Sequence, residues 1–249
     1  MKKALLTIAV AAAAFTAQAQ DFRLGLGGGI NTTWLANTNV SDAGDELDFA
    51  VTFGGSVGLE GIYSFSEKAG VSIGFLSSGH NQKYEGEISS GTTTETWESK
   101  LKMRYLDIPI LFRLTSASGT YFELGPQIGI LTSAKEDGEN SSGLVNYEDR
   151  DVKGSLNGTN VAAILGFGVD IEASENIIVT AGLRLGYGFT DVTKEYTLLE
   201  HASLESADEL ANATSAAHFN DKDDFSYEAT NRVFGGLHLG VSYKFGSAK

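Results

Sequence analysis

Residues 105–114 read YLDIPILFRL, and this stretch decides the fold class. In an extended chain, successive side chains point to opposite faces. One face would then carry Leu106, Ile108, Ile110, Phe112 and Leu114, all bulky and apolar. The other face would carry Tyr105, Asp107, Pro109, Leu111 and Arg113. The apolar face is about as long as the ~9 to 11 tilted residues that cross a bilayer, so the segment predicts a membrane-spanning strand.

The same alternation recurs along the chain, most clearly in residues 177–192 and 230–246. In the first, Val179 to Phe189 alternate with Thr, Gly and Arg, and in the second, Val233 to Phe245 alternate with Gly, His, Ser and Lys. The predicted strands are 22–35, 50–65, 70–83, 99–114, 120–133, 158–172, 177–192 and 230–246. Short turns are predicted at 66–69, 115–119 and 173–176, and long segments at 35–49, 84–98, 133–157 and 193–228.

The first nineteen residues have the features of a cleaved secretory signal. Lys2 and Lys3 precede the apolar run 4–15, and Ala17-Gln18-Ala19 is a small-x-small cleavage site. The run is shorter than the ~20 residues that a membrane-spanning helix needs. We therefore expect residues 1–19 to be removed and Gln20 to begin the exported chain.

A chain that crosses a membrane without an apolar helix must close a β-barrel, because every backbone N–H and C=O in lipid needs a partner. No second apolar run in this sequence is long enough for such a helix, and no cysteine is present. Residues 20–249 are thus predicted to form an all-β, eight-stranded antiparallel up-and-down transmembrane β-barrel. Barrels of the outer membrane have short periplasmic turns and long extracellular loops, which would place both termini in the periplasm.

A secreted, soluble cup of the lipocalin type is the alternative, with the bulky face turned inward. The interior of an eight-stranded barrel holds only a modest set of side chains, and nearly every strand here offers five or six large ones. The glycine-rich face also carries few charges for a surface in water. The transmembrane interpretation further predicts aromatic girdles at the membrane interfaces, from Trp34, Tyr63, Phe65, Tyr121, Tyr187, Phe189, Tyr243 and Phe245.

Three segments resemble the outer-membrane β-barrel domain family that includes PorT-type proteins. They are YLDIPILFRL at 105–114, YFELGPQIGIL at 121–131 and RVFGGLHLGVSYKFG at 232–246. The resemblance covers most of residues 20–249 and implies the fold, with members that include porin-like proteins and secretion-system components. The end of the chain also resembles the signal read by the barrel-assembly machinery, at His238, Gly240, Tyr243 and Phe245, although it continues to Lys249.

Charge is distributed unevenly along the chain, whose formal net charge is -14. The four long segments hold 23 of the 32 acidic residues and only five Lys or Arg. This pattern fits solvation of the loops or recognition of divalent cations or cationic ligands. The densest cluster, Asp221, Asp223 and Asp224, lacks the spacing of a calcium loop. We predict no metal site, and the acidity argues against nucleic-acid binding.

The alternation places nine charged residues inside the lumen. Arg184, Glu60 and Asp107 should lie near mid-depth, and a guanidinium forms bidentate bonds with carboxylates. We therefore expect Arg184 to bridge Glu60 or Asp107 and plug the lumen; the alternative is a set of scattered, hydrated charges. The other inward charges are Arg23, Arg113, Glu123, Asp170, Glu172 and Lys244.

Catalysis finds little support in the sequence. His80 follows Ser77 and Ser78 closely, but no known catalytic signature surrounds them. We expect a protein that is not an enzyme and uses no cofactor. Its expected partners are outer-membrane lipid, the barrel-assembly machinery and a surface or secretion-system protein. The role stays open between a structural or surface-interaction barrel, including PorT-like participation in secretion, and a narrow porin-like pore.

The last long segment could carry a function of its own. Residues 198–217 place apolar side chains at Leu199, Ala202, Ala207, Leu210 and Ala213, a spacing that predicts a short helix. Such a helix would either cover the barrel mouth or contact a partner.

Overall fold

The computed structural model describes residues 21–90, 92–194 and 227–245. Within them the chain forms ten strands, one short helix, α1 (Thr38–Asp42), and the 3-10 turns Gly44–Glu46 and Lys153–Ser155. The strands are β1 (Asp21–Ala36), β2 (Asp48–Ala50), β3 (Phe53–Ser64), β4 (Ala69–Ser90), β5 (Thr93–Thr115), β6 (Thr120–Asn140), β7 (Asn146–Asp151), β8 (Thr159–Glu172), β9 (Ile177–Gly188) and β10 (Asn231–Phe245). The predicted signal segment and the predicted helix at 198–217 lie outside the described residues.

Eight of these strands close an antiparallel ring in the order β1, β3, β4, β5, β6, β8, β9 and β10. The first and last strands pair along their whole length, from Phe22 opposite Phe245 to Ala36 opposite Asn231. This seam leaves no free edge in the ring, so every strand satisfies its backbone groups on both sides. The eight-stranded up-and-down barrel predicted from the alternation is confirmed.

The bulky face of each barrel strand points outward. On β10, Leu239 is 58% exposed, whereas on β5 the inward Asp107 is only 2% exposed. Because the apolar side chains cover the outside as a continuous belt, the wall is suited to lipid, and the soluble cup, which needs them inside, is wrong. Among the described residues, no helix is long and apolar enough to cross a membrane.

Two of the segments predicted as loops are largely strand. β4 runs to Ser90 and β5 begins at Thr93, so most of 84–98 is a hairpin continuing the barrel wall. β6 likewise runs to Asn140 and pairs with β7 inside 133–157. The sequence prediction ended each strand where the apolar alternation ended. Backbone pairing does not need apolar side chains, and cross-strand pairs such as Lys83 Nζ to Glu98 Oε2, 2.8 Å apart, support it instead.

The interior changes character along the barrel axis. Toward the short turns it is filled by charged side chains, and toward the long segments it holds an apolar cluster together with buried polar side chains such as Gln82 and Glu136. In the apolar part, Leu35, Leu101, Met103 and Tyr105 of the strands form one buried cluster with side chains of the connections between strands. We call this group the apolar plug; its other members are Leu131, Ala134, Val152, Leu156 and Val192.

Candidate functional site: the barrel lumen

Arg184 lies at the centre of the charged part of the lumen. It projects inward from β9, and its Nη1 atom lies 2.6 Å from Oε1 of Glu60 on β3. Its Nε and Nη2 atoms each lie 3.2 Å from Oε2 of Glu123 on β6. One guanidinium thus joins two walls of the barrel. Of the two partners expected for Arg184, the structure supplies Glu60 but not Asp107, and Glu123 takes the second place.

From Glu123 the ion pairs continue toward the short turns. Arg113 donates to Glu123 Oε1 at 2.7 Å and to Asp170 Oδ1 at 2.7 Å. Asp170 accepts a second guanidinium, that of Arg23, at 2.7 Å. Arg23 in turn lies 3.1 Å from Asp21. Lys244 completes the series, 3.7 Å from the same Asp21 oxygen.

Acidic and basic side chains alternate along this series, which we call the ionic lattice. Each buried charge therefore faces an opposite one, the condition under which buried ions are tolerated. Thr180 donates a further hydrogen bond to Asp170 at 2.8 Å. The members of the ionic lattice are Glu60, Arg184, Glu123, Arg113, Asp170, Arg23, Asp21 and Lys244. Glu172, also predicted inward, is exposed at the mouth of the barrel.

The C-terminal strand contributes to the lattice as well. His238 Nε2 lies 2.9 Å from Glu60 Oε2, so its imidazole faces the lumen. Gly240 shares that inward face, while Tyr243 and Phe245 point outward with ring centroids 4.8 Å apart. The four residues of the expected assembly signal thus occupy both faces of β10.

Asp107 belongs to a second buried group, placed between the lattice and the apolar plug. Its Oδ2 atom lies 2.9 Å from Nε2 of His80, whose Nδ1 atom lies 3.0 Å from the Thr33 hydroxyl. Arg232 Nη2 lies 3.6 Å from the other Asp107 oxygen, and its guanidinium stacks over the ring of Tyr105, 4.4 Å from the ring centroid. Ser78 lies on the same inward face as His80, whereas Ser77 points outward.

Sequence reasoning missed Arg232, which is fully buried. The signal was present, since position 232 shares the inward face with Phe234 and His238 in the alternation of β10. The predicted inward set omitted it because the apolar pattern begins one residue later, at Val233. Extending the alternation by a single residue would have found it.

The girdle residues lie on the outer wall with one exception. Phe65, Tyr187, Phe189, Tyr243 and Phe245 are exposed, and Trp34 and Tyr63 are half-buried. Tyr121 was expected in a girdle, and that prediction is wrong: its ring is 2% exposed, beneath the Arg113 guanidinium at 3.6 Å. Residue 121 shares the inward face with Glu123, and cation–π stacking stabilises the ring there.

Two cavities border the charged groups. One, of about 500 Å³, opens at the short-turn end and is lined by Asp21, Arg23, Asp170, Glu172 and Lys244 among others. The other is about 50 Å³ and lies between the lattice and the Asp107 group, against His80, Gln127 and Arg184. The inner space accommodates little more than water.

Known protein families and solved structures include some that are similar to this chain. A family model described as an outer membrane protein beta-barrel domain matches residues 17–194. Similar solved structures include Neisserial surface protein A (13% identity, TM-score 0.38, covering 90% of this chain and 97% of that one). Others are OprG of Pseudomonas aeruginosa (13%, 0.35, 92% and 97%) and AlkL in lipid bilayers (13%, 0.45, 93% and 93%). A search of curated proteins gives no match.

Proposed function

This chain belongs to the outer membrane protein beta-barrel domain family, and from that premise we propose that it is a closed, non-enzymatic barrel with a structural or surface-interaction role. The protein resides in the outer membrane. The observation that carries the proposal is the filled lumen. The ionic lattice and the apolar plug lie in series along the axis, so a solute that passed one would still meet the other.

A closed lumen is physically reasonable at this strand number. Eight-stranded barrels are just wide enough for side chains to fill. Here the Arg184 guanidinium spans from β3 to β6, and opening a path beside it would separate it from Glu60 and Glu123. Separating a buried ion pair leaves uncompensated charges, which is costly. The lattice therefore favours the structural role over the narrow pore.

The absence of an enzymatic role is part of the proposal. Thr33, His80 and Asp107 form a hydroxyl–imidazole–carboxylate series, the arrangement that activates a nucleophile in some hydrolases. All three side chains are buried, and the space beside them is about 50 Å³, too small for a substrate. The series is best explained as a satisfied polar group within the core. In the part of the chain that the structure describes, no three His, Asp or Glu side chains are grouped as metal ligands.

The connections support an orientation of the barrel in the membrane. The connections after β3, β5 and β8, at 65–68, 116–119 and 173–176, and both ends of the ring lie on one side. The strands β4, β5 and β6 extend past the belt on the other side, where β4 and β5 form a hairpin. We assign the first side to the periplasm and the second to the cell exterior, as in barrels with short periplasmic turns. The exterior extension would then meet any surface or secretion-system partner, and PorT-like participation in secretion is one form of such an interaction. The C-terminal strand would be recognised by the barrel-assembly machinery.

The experiment that tests the closed lumen is single-channel conductance of the refolded protein, residues 20–249, in a planar bilayer. We expect a folded barrel without discrete conductance steps. Reproducible steps from the folded wild-type protein would overturn the closed lumen and support the porin-like pore. Folding is checked in the same sample by the mobility shift between heated and unheated protein in gels.

A further inference from the structure

The outer wall differs between two sectors at the long-segment edge of the apolar belt. On β1, β3 and β9 the edge carries Trp34, Phe53 and Tyr187. On β5, the outward residue next to Leu106 is Arg104, and Lys102 and Lys100 follow on the same face. Cations thus replace aromatic side chains on one side of the barrel.

Neighbouring strands add to this charge. Lys83 of β4 lies directly opposite Lys100, and Lys135 of β6 lies directly opposite Lys102. Like charges directly opposite each other in a sheet are destabilising. Two such pairs lie on this one face. We call Lys83, Lys100, Lys102, Arg104, Lys135 and Lys153 the cation sector.

Carboxylates compensate only part of the cation sector. Lys83 pairs with Glu98 at 2.8 Å, and Lys102 with Asp137 and Asp149 at 2.7 Å each. Lys135 lies 3.6 Å from the other oxygen of Asp149.

Within the described ranges, three cations of the sector are not compensated. Among the described residues, Lys100, Arg104 and Lys153 form no ion pair within 4.0 Å of a carboxylate. The Lys153 ammonium donates to the backbone carbonyl of Thr132 at 3.1 Å, which fixes it against β6 beside Arg104. Three positive charges on this surface therefore have no carboxylate partner in the part of the chain that the structure describes, although the surrounding segments are rich in acidic residues.

The depth of two of these cations, Arg104 and Lys153, indicates the kind of partner. Arg104 is the first outward residue beyond Leu106, and Thr132, which holds Lys153, is the first beyond the exposed Ile130. The boundary of the apolar belt is where lipid headgroups lie, and Lys and Arg at that level attract anionic lipids. We propose that the cation sector binds the phosphate groups of lipid headgroups in the leaflet around the long-segment end of the barrel.

The arrangement fits a headgroup with more than one phosphate. Residues two apart on a strand are separated by ~7 Å, and adjacent strands by ~5 Å. The sector therefore offers cations at more than one height and on β4, β5 and β6 together, so that different cations are available to two phosphates of one sugar headgroup. The inference rests on the proposed function only in placing the barrel in a bilayer.

The test uses the refolded protein, residues 20–249, in detergent, with lipid A, a diphosphorylated glycolipid, as the probe. Bound lipid is counted by native mass spectrometry across a titration. The variants are Arg104→Gln alone and Lys100→Gln, Arg104→Gln and Lys153→Gln combined. The matched control is Lys68→Gln, an exposed lysine in the short turn between β3 and β4 at the opposite end. At about 1 kcal/mol per surface cation, the affinity should fall roughly 5-fold in the single variant and roughly 100-fold in the triple variant.

Three results would overturn the proposal. The triple variant could bind lipid A as tightly as the wild type does, or the wild type could bind lipid A equally well after its phosphates have been removed. Inorganic phosphate could also displace lipid A at equal concentration. The last would identify a site for a soluble anion rather than a lipid. If the triple variant does not fold, the Arg104→Gln and Lys68→Gln pair decides the question. Failure of the wild-type protein to fold into neutral-lipid vesicles would count against the membrane barrel itself, so the two failures are distinguishable.

Discussion

At the scale of single residues, the lumen shows how one arginine organises charges from three strands. Arg184 holds Glu60 and Glu123, and through Glu123 it joins Arg113. The guanidinium suits this position because it presents several donors in a fixed plane and stays charged. A lysine could neutralise one carboxylate but could not bridge both.

Replacing Arg184 by Ala should destabilise the folded barrel strongly. The change leaves Glu60 and Glu123 without that cation, and breaking a buried pair by removing one partner costs about 3–5 kcal/mol. Unfolding in urea, followed by tryptophan fluorescence in lipid vesicles, measures the loss. Arg184→Lys should recover part of it, and Lys68→Gln serves as the neutral control. A free energy of unfolding equal to that of the wild type would contradict the lattice as a stabilising element.

The β6–β7 hairpin, on the side assigned to the cell exterior, should become less stable in acid. The hydrogen bond and charge of Lys102, with the charge of Lys135, hold the pKa of the Asp149 carboxyl below its usual value. A lowered pKa in the folded state means that the stabilisation is present above the ordinary Asp pKa of about 3.9 and is lost as pH falls through the lowered value.

We therefore expect the β6–β7 hairpin to open progressively more often as the pH falls below about 4, because the pKa values of both carboxylates that contact Lys102, those of Asp137 and Asp149, are lowered in the folded state. Hydrogen–deuterium exchange of residues 137–151, corrected for the intrinsic effect of pH, measures this opening. In Lys102→Gln the hairpin should exchange faster at neutral pH and show a smaller acid response. An acid response of the same size in this variant would show that Lys102 is not its source.

At the scale of elements, the barrel closes by the pairing of its first and last strands. β1 and β10 approach closely at Gly236, where an added Cβ would lie 2.1 Å from the backbone carbonyl oxygen of Ile30. The atom in the way is backbone, so it cannot turn aside as a flexible side chain could. Gly236 is therefore needed for β1 and β10 to pair at this distance.

Gly236→Ala should therefore reduce the yield of folded barrel and its stability. Backbone strain or a shift in the β1–β10 register is the expected consequence, and overpacking of this kind costs about 1–3 kcal/mol. The measurement is the folded fraction after dilution from urea into vesicles, judged by gel mobility without heating. Gly158→Ala is the matched control, because a Cβ there meets nothing within 4 Å. Equal yields of the two variants would contradict the close approach.

At the scale of the whole molecule, the interior is divided by chemistry along the axis. The ionic lattice fills the short-turn half, and the apolar plug fills the end from which β4, β5 and β6 extend. The cavity of about 500 Å³ at the short-turn mouth ends at the lattice. The barrel is thus a cup open toward one side of the membrane.

Because the ionic lattice and the apolar plug lie in series, we predict that either one alone blocks permeation. Arg184→Ala alone should not produce conductance steps, and neither should Leu101→Ala with Met103→Ala, because the other barrier remains. Combining the three substitutions should produce discrete steps in a planar bilayer, if gel mobility shows that the barrel still folds. Steps from either barrier variant alone would show that the two do not act in series.

The sequence by itself determined the barrel, because a period-2 alternation of bulky and small or polar residues has one stable arrangement in a membrane. It also determined which residues face the lumen on 105–114, 177–188 and 233–245, since strand geometry fixes alternate side chains to opposite faces. Only the tertiary structure decided the partners. Glu123, on a strand distant in sequence, bridges Arg184, whereas Asp107 turns to His80. Those pairings depend on strand register and barrel stagger, which bring together residues far apart in the chain. A local sequence pattern therefore does not predict them.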